Sequence, residues 1–136
     1  MQLLKTYIVE DSKVIRDNLI DALEEMSPIK VVGIAEDEKT AVDWLTAPGN
    51  AADLVIVDIF LKMGSGLGVL RALEHALQTR TKVVLSNHAT PEVRRKCIEL
   101  GANKVFDKSS ELEALVLYCT RLASGDAGQT LPSALN

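Results

Sequence analysis

The 136-residue sequence predicts an α/β domain built on an open, doubly wound parallel sheet, and three observations carry that expectation. A short β-branched apolar run, then polar or turn residues, then a stretch of helical periodicity, recurs five times in succession. Such alternation defines the α/β class. The middle three runs are apolar throughout, as strands covered by helices on both faces must be. Five units of about 25 residues suit an open sheet with right-handed crossovers, whereas a closed eight-fold barrel takes about 250 residues.

The first strand is expected over residues 6–9, and the helix after it shows the stripe Val14, Ile15, Leu19, Ala22, Leu23 and Met26, stopped by Pro28. A second strand at 31–35 leads to a helix marked by Ala41, Trp44 and Leu45 that ends near Pro48 and Gly49. The third strand, Leu54–Val57, precedes a helix entered through Ser65, with Leu67, Leu70, Leu73 and Leu77 on its inner face. A fourth strand at 83–85 is followed by the best punctuated helix. Thr90 is its N-cap, Pro91 its first residue, Val93, Cys97 and Ile98 its inward side chains, and Gly101 its stop. The weaker fifth run, 104–106, precedes a helix that opens with Ser110 and Glu113 at capping-box spacing and buries Leu112, Leu115, Val116, Cys119 and Leu122. One domain over 1–124 is expected, with 125–136 as an aperiodic tail or the start of a linker.

Composition places the chain among soluble globular proteins, with 47% apolar and 25% charged residues. No apolar run approaches the roughly 20 residues of a membrane span. Glu10 and Asp11 interrupt the N-terminal apolar stretch before a signal h-region can form, so a cytoplasmic location and no membrane partner are expected. Cys97 and Cys119 sit far apart inside apolar helical patterns and read as buried, reduced thiols. A net charge of -4 argues against direct nucleic-acid binding by the domain.

Ligands of open α/β sheets bind beyond the carboxyl ends of the strands, so the residues that close each run are the ones to read for chemistry. Run one closes in Glu10-Asp11, run three in Asp58, run four in Ser86 and run five in Asp107-Lys108. Singly each has a structural reading, as helix cap, turn residue or solvated charge. Jointly they gather three carboxylates, a hydroxyl and an ammonium at one sheet edge. Converged carboxylates repel unless a proton or cation intervenes, and magnesium, which takes oxygen ligands and keeps several waters, suits such a site. An aspartate there can attack a phosphoryl group and form an acyl phosphate. The helpers that this transfer needs are a metal, a cation and hydrogen-bond donors, and Lys108 and Ser86 are of those types. Gly64 and Gly66 suit a tight loop that brings backbone amides to the phosphoryl group.

In YIVED, LVIVD with its Gly-containing loop, VVLS and VFDKSS, taken in order and spacing, the chain resembles the receiver domain of bacterial response regulators from Leu4 to Ala123. The resemblance implies a flavodoxin-like fold, a five-stranded parallel sheet of order 2-1-3-4-5 with five helices. It implies Asp58 as phosphoacceptor, Mg2+ held by Glu10, Asp11, Asp58 and the Phe60 carbonyl, Ser86 as switch hydroxyl, and Lys108 as phosphate contact. The donor it implies is a sensor histidine kinase or a histidine phosphotransfer protein. The chain is then not an enzyme but a phosphoacceptor with slow self-catalysed phosphorylation and dephosphorylation. The face made by the fourth helix, fifth strand and fifth helix is the one receivers use for phosphorylation-dependent dimerisation or partner binding. Here the fourth helix carries Arg94, Arg95 and Lys96 as a basic strip, and the first helix, with Val14 and Ile15, matches the usual kinase-docking element.

The chain departs from the family pattern at several positions. Lys62 stands where proline is usual, Ser65 where aspartate is common, and Ser109 where a cis-proline often follows the lysine; without proline a cis bond costs about 3 kcal/mol. Val105 replaces the usual switch aromatic, and Phe106 is expected on the opposite face because strand side chains alternate. Phe60 and His88 occupy the flanking positions that govern dephosphorylation, and Phe60 cannot orient an attacking water. Two other functions compete with the signalling switch. One is a metal-dependent phosphohydrolase passing through an aspartyl phosphate, whose general acid would fall at Phe60; the other is a receiver-like module that binds partners without phosphorylation.

Overall fold

A computed structural model describes residues 3–76 and 80–125. Strand and helix alternate as β1 (Leu4–Val9), α1 (Lys13–Met26), β2 (Ile29–Ala35), α2 (Glu38–Thr46), β3 (Leu54–Val57), α3 (Gly66–Leu73), β4 (Thr81–Ser86), α4 (Pro91–Glu99), β5 (Lys104–Asp107) and α5 (Leu112–Ala123). The strands pair in parallel in the order β2-β1-β3-β4-β5. The order therefore reverses between β1 and β3, which is where an open sheet forms a crevice at its carboxyl edge. Leu77 and the tail residues 126–136 lie outside the described residues.

Period-2 alternation along the strands divides the core into two layers. Ile8, Ile56, Leu85 and Phe106 face α1 and α5, where they meet Leu19, Leu23, Leu115 and Cys119. Tyr7, Val55 and Val57 face the other way, onto Ala41 and Leu45 of α2 and Val69 and Leu73 of α3. Val84 and Val105 meet Leu70, Cys97 and Leu100 on that same side. Val105 and Phe106 thus point to opposite faces, as alternation requires. Both cysteines are buried and free.

Several expectations need correction. β2 was expected to be covered on both faces, but it forms the sheet edge: residues 31–33 are only partly buried and Ile34 is 43% exposed. An apolar run cannot distinguish an edge from a centre, because order in the sheet is a tertiary property. On α1, Val14, Ile15 and Met26 are exposed, and the inward phase runs through Arg16, Leu19 and Leu23. On α4, Ile98 is exposed and the inward phase is Val93, Cys97 and Leu100. Thr90 does cap α4, its hydroxyl accepting from the Val93 amide at 3.2 Å, and Gly101 follows with φ 101. The capping box at Ser110 and Glu113 does not form: α5 begins after Glu111, whose side chain makes no cap bond. α2 has an N-cap the sequence reading passed over, Asp37, which accepts from the Thr40 amide at 2.7 Å.

One local device fits β2 against β1. Their register slips between Thr6 and Tyr7, and the Tyr7 ring stacks on Trp44 with centroids 4.4 Å apart. A Cβ at Gly33 would stand 2.7 Å from the Tyr7 ring, so only glycine leaves room for the stack. The Tyr7 hydroxyl donates to the Ile34 carbonyl at 3.2 Å, and burial, with the Asp37 charge, pushes its pKa up to about 12. Among the described residues no helix is long and apolar enough to cross a membrane.

Candidate functional site

The site is assembled by strand exits. The Asp58 amide donates to the Val9 carbonyl at 3.0 Å, and the Glu10 amide to the Ala35 carbonyl at 2.9 Å, so the acids leave β1 and β3 side by side. One carboxylate oxygen from each of Glu10, Asp11 and Asp58 lies within 4.8 Å of the others. The exit of β5 is tied to that of β4 by the Lys108 amide, which donates to the Ser86 carbonyl at 2.9 Å. From there the Lys108 ammonium donates to Glu10 Oε1 at 2.6 Å and to Asp58 Oδ2 at 3.0 Å. Burial alone pulls the lysine pKa down; the hydrogen bonds it donates to Glu10 and Asp58 outweigh it and hold the pKa above the ordinary 10.5. Ser86 is fully buried at the end of β4, where its hydroxyl accepts from the His88 amide at 3.1 Å.

The acid pair is fixed from below and beside. Glu10 Oε2 accepts from the Ser12 amide at 3.1 Å, and the Glu10 carbonyl accepts from Arg16 Nη1 at 2.9 Å. The same Arg16 nitrogen lies 3.1 Å from Glu36 Oε2. Arg16 is only 4% exposed, its guanidinium held between the Glu10 carbonyl and the Glu36 carboxylate. The sequence reading missed it because the apolar stripe was traced through Val14 and Ile15; the i, i+3, i+7 phase of Leu19 and Leu23 is the signal that finds it.

The loop after β3 is held at two points. Asp11 Oδ2 accepts from the Lys62 amide at 2.7 Å, and Glu38 Oε1 accepts from the Ser65 amide at 2.9 Å. Gly64 turns the loop with φ 83. Gly66 serves differently from the expectation. Its amide donates to the Ile59 carbonyl at 2.9 Å rather than into the site, and glycine is required because the Asp58 carbonyl oxygen fills the space of a Cβ. The Lys62 side chain is exposed, so this residue acts on the site through its amide. Phe60 is 56% exposed and meets His88 edge to face, centroids 4.8 Å apart, across the loops that follow β3 and β4. The peptide bond after Lys108 is trans, and Asp107 Oδ1 accepts from both the amide and the hydroxyl of Ser109, at 2.8 and 2.6 Å.

A parallel five-stranded sheet of this order, flanked by five helices and carrying three acids at its switch point, defines a flavodoxin-like receiver fold. The sequence matches the family described as response regulator receiver domain over residues 6–120, and the chain belongs to that family. It is therefore a receiver domain of the two-component signalling class. A probable transcriptional regulatory protein of Picosynechococcus sp. is 35% identical over 120 residues, which are 85% of this chain and 47% of that protein. The response regulator UvrY of Escherichia coli O157:H7 is 26% identical over 123 residues, 90% of this chain and 56% of that one. The chain thus spans about half the length of these relatives. A protein-glutamate methylesterase/protein-glutamine glutaminase of Syntrophus aciditrophicus matches over 31% of its length at 30% identity, covering 79% of this chain. Among solved structures, the receiver domain of the putative response regulator NarL from Mycobacterium tuberculosis superposes with a TM-score of 0.80 at 20% identity, covering 92% of this chain and 99% of that one. The phosphorylated cyanobacterial phytochrome response regulator RcpA does so with a TM-score of 0.73 at 26% identity, covering 96% of this chain and 99% of that one.

Proposed function

We propose that this receiver is a cytoplasmic phosphoacceptor in which Asp58 takes a phosphoryl group from a sensor histidine kinase or a histidine phosphotransfer protein. The observation that carries the reading is the convergence of Glu10, Asp11 and Asp58, with one ammonium bridging two of them. The donor set is all oxygen and strongly anionic, which fits Mg2+ held by Glu10, Asp11, Asp58 and the Phe60 carbonyl. Bound there, the ion supplies charge neutralisation for the transferring phosphoryl oxygens.

The chain's own groups supply the rest. An Asp58 carboxylate oxygen bonds to phosphorus as the P–N bond to the donor histidine breaks, its electron pair leaving with the imidazole. Lys108, already 3.0 Å from Asp58, offers its ammonium to a phosphoryl oxygen, and Ser86 offers a hydroxyl. Phosphorylation then alters the face of α4, β5 and α5, through which the domain binds a partner or a second copy. Direct nucleic-acid contact by this domain is not part of the reading. Phe60 provides no general acid two residues beyond Asp58, which disfavours a turnover phosphohydrolase. A module working without phosphorylation has no use for three convergent carboxylates, two of them joined by one ammonium.

The three functions separate in one experiment. Wild type and Asp58→Asn are incubated with magnesium and a small phosphodonor, and protein mass and released phosphate are followed. Addition of one phosphoryl group to wild type alone is expected. Rapid multiple turnover would instead establish a hydrolase, and an unmodified wild type the phosphorylation-independent module.

A further inference from the structure

α4 carries three consecutive cations, yet they are not equivalent: Arg95 and Lys96 are exposed, while Arg94 is partly buried and turns toward β5 and α5, leaving the basic strip expected from the sequence. Its guanidinium fork is divided among three parts of the fold. Nε donates to the Ala89 carbonyl in the β4–α4 loop at 2.9 Å, Nη1 to the Val105 carbonyl in β5 at 2.8 Å, and Nη2 to Glu111 Oε1 at the start of α5 at 2.8 Å. That Glu111 oxygen also accepts from the Asp107 amide at 2.7 Å, and the Glu111 amide donates back to the Asp107 carbonyl at 2.9 Å. Lys108 follows Asp107 directly, and its amide is held by Ser86, three residues before Ala89. One side chain therefore ties down both chain segments that bring non-acidic groups to the site. A planar fork with separate donors can do this; a lysine ammonium cannot reach three diverging acceptors in fixed directions.

We infer that Arg94, acting through Glu111, is a positioning residue for Lys108 and couples the phosphorylation state of Asp58 to the α4–α5 surface. The inference rests on the reading of Asp58 as phosphoacceptor. Coupling of this kind is reciprocal at equilibrium: if phosphorylation shifts the contacts of Arg94, removing those contacts shifts the phosphorylation equilibrium. Glutamine at 111 keeps an oxygen able to accept from both the Asp107 amide and the guanidinium, whereas leucine keeps none.

The test uses the full chain as wild type, Arg94→Met, Arg94→Lys, Glu111→Gln, Glu111→Leu and the double variant Arg94→Met/Glu111→Leu. Phosphoryl uptake from acetyl phosphate and magnesium is timed by mass, and amide hydrogen exchange at Asp107 and residues 112–114 is compared with and without the phosphoryl group. Uptake is expected to slow about tenfold in Arg94→Met, Arg94→Lys and Glu111→Leu, and to stay near wild type in Glu111→Gln. The double variant should be no slower than either single one, because the two residues act as one unit. The phosphorylation-dependent change in exchange should be present in wild type and absent without Arg94. If Arg94→Met fails to fold, Arg94→Lys and Glu111→Leu carry the same comparison. Folded Arg94 and Glu111 variants with wild-type uptake and an unaltered exchange response overturn the inference alone. A wild type that takes up no phosphoryl group overturns the Asp58 reading, and the inference falls with it.

Discussion

At Gly66 the missing Cβ matters because the Asp58 carbonyl occupies its place, with Val57 Cγ1 at 2.7 Å and the Ile59 Cα at 2.8 Å. Gly66→Ala must push the backbone of Asp58 itself. It is expected to destabilise the fold by more than about 1 kcal/mol in urea titrations and to slow phosphoryl uptake at the same time. Phe60, two residues beyond Asp58, has an exposed ring that offers water no hydrogen-bond partner. Phe60→Asn should shorten the lifetime of the phosphorylated protein by about tenfold, followed as mass loss after donor removal; an unchanged decay rate refutes a protective role for the ring. Glu10, Asp11, Asp58, Ser86 and Lys108 were legible in the sequence because each closes an apolar run, and strand ends converge by topology. Arg16 was not, since a cation inside a helix reads as solvated until the inward phase is fixed. Nor was the bond from the Lys62 amide to Asp11, because backbone donors leave no mark on residue identity.

Helix ends gave the sequence reading its firmest and its weakest element boundaries. Thr90 and Pro91 define the start of α4 through chemistry local to one turn, which any sequence displays. Ser110 and Glu113 have capping-box spacing, yet the Asp107 amide and the more distant Arg94 draw Glu111 into a different arrangement, and a partner from another helix overrides local preference. That arrangement has a pH signature. The Arg94 guanidinium and then the Asp107 amide hold the Glu111 carboxyl below its ordinary 4.5. A folded pKa below the unfolded one gives stability that is fully present above about 4.5 and lost as pH falls through the lowered value. Glu111→Gln has no such proton to bind. Its urea stability is therefore expected to decline less than wild type between neutral pH and about pH 3, and an equal decline sinks the assignment. β2 shows the limit at this scale: its residues are as apolar as those of a central strand, and only pairing reveals an edge.

For the whole molecule, the two layers of the core are set by alternation along five short strands, which is why fold class and strand number are readable in the sequence. Strand order came from family resemblance rather than from periodicity, since periodicity contains no information on which strands are neighbours. Leu115 is fully buried between α5 and the sheet, in the layer that also holds Phe106. Leu115→Ala should cost about 2–5 kcal/mol of unfolding free energy, measured in urea, with one cooperative transition retained. Conditions can then be chosen where the variant remains folded, so that its phosphoryl chemistry is compared fairly with wild type. The stack of Tyr7 on Trp44 makes such measurements simple, because Trp44 is the sole tryptophan of the chain. Unfolding parts the two rings, ends energy transfer from tyrosine to indole and shifts the emission to the red. The fluorescence originates between β1 and α2, away from α4 and α5, so one sample can report global stability by light while its amides report the α4–α5 face.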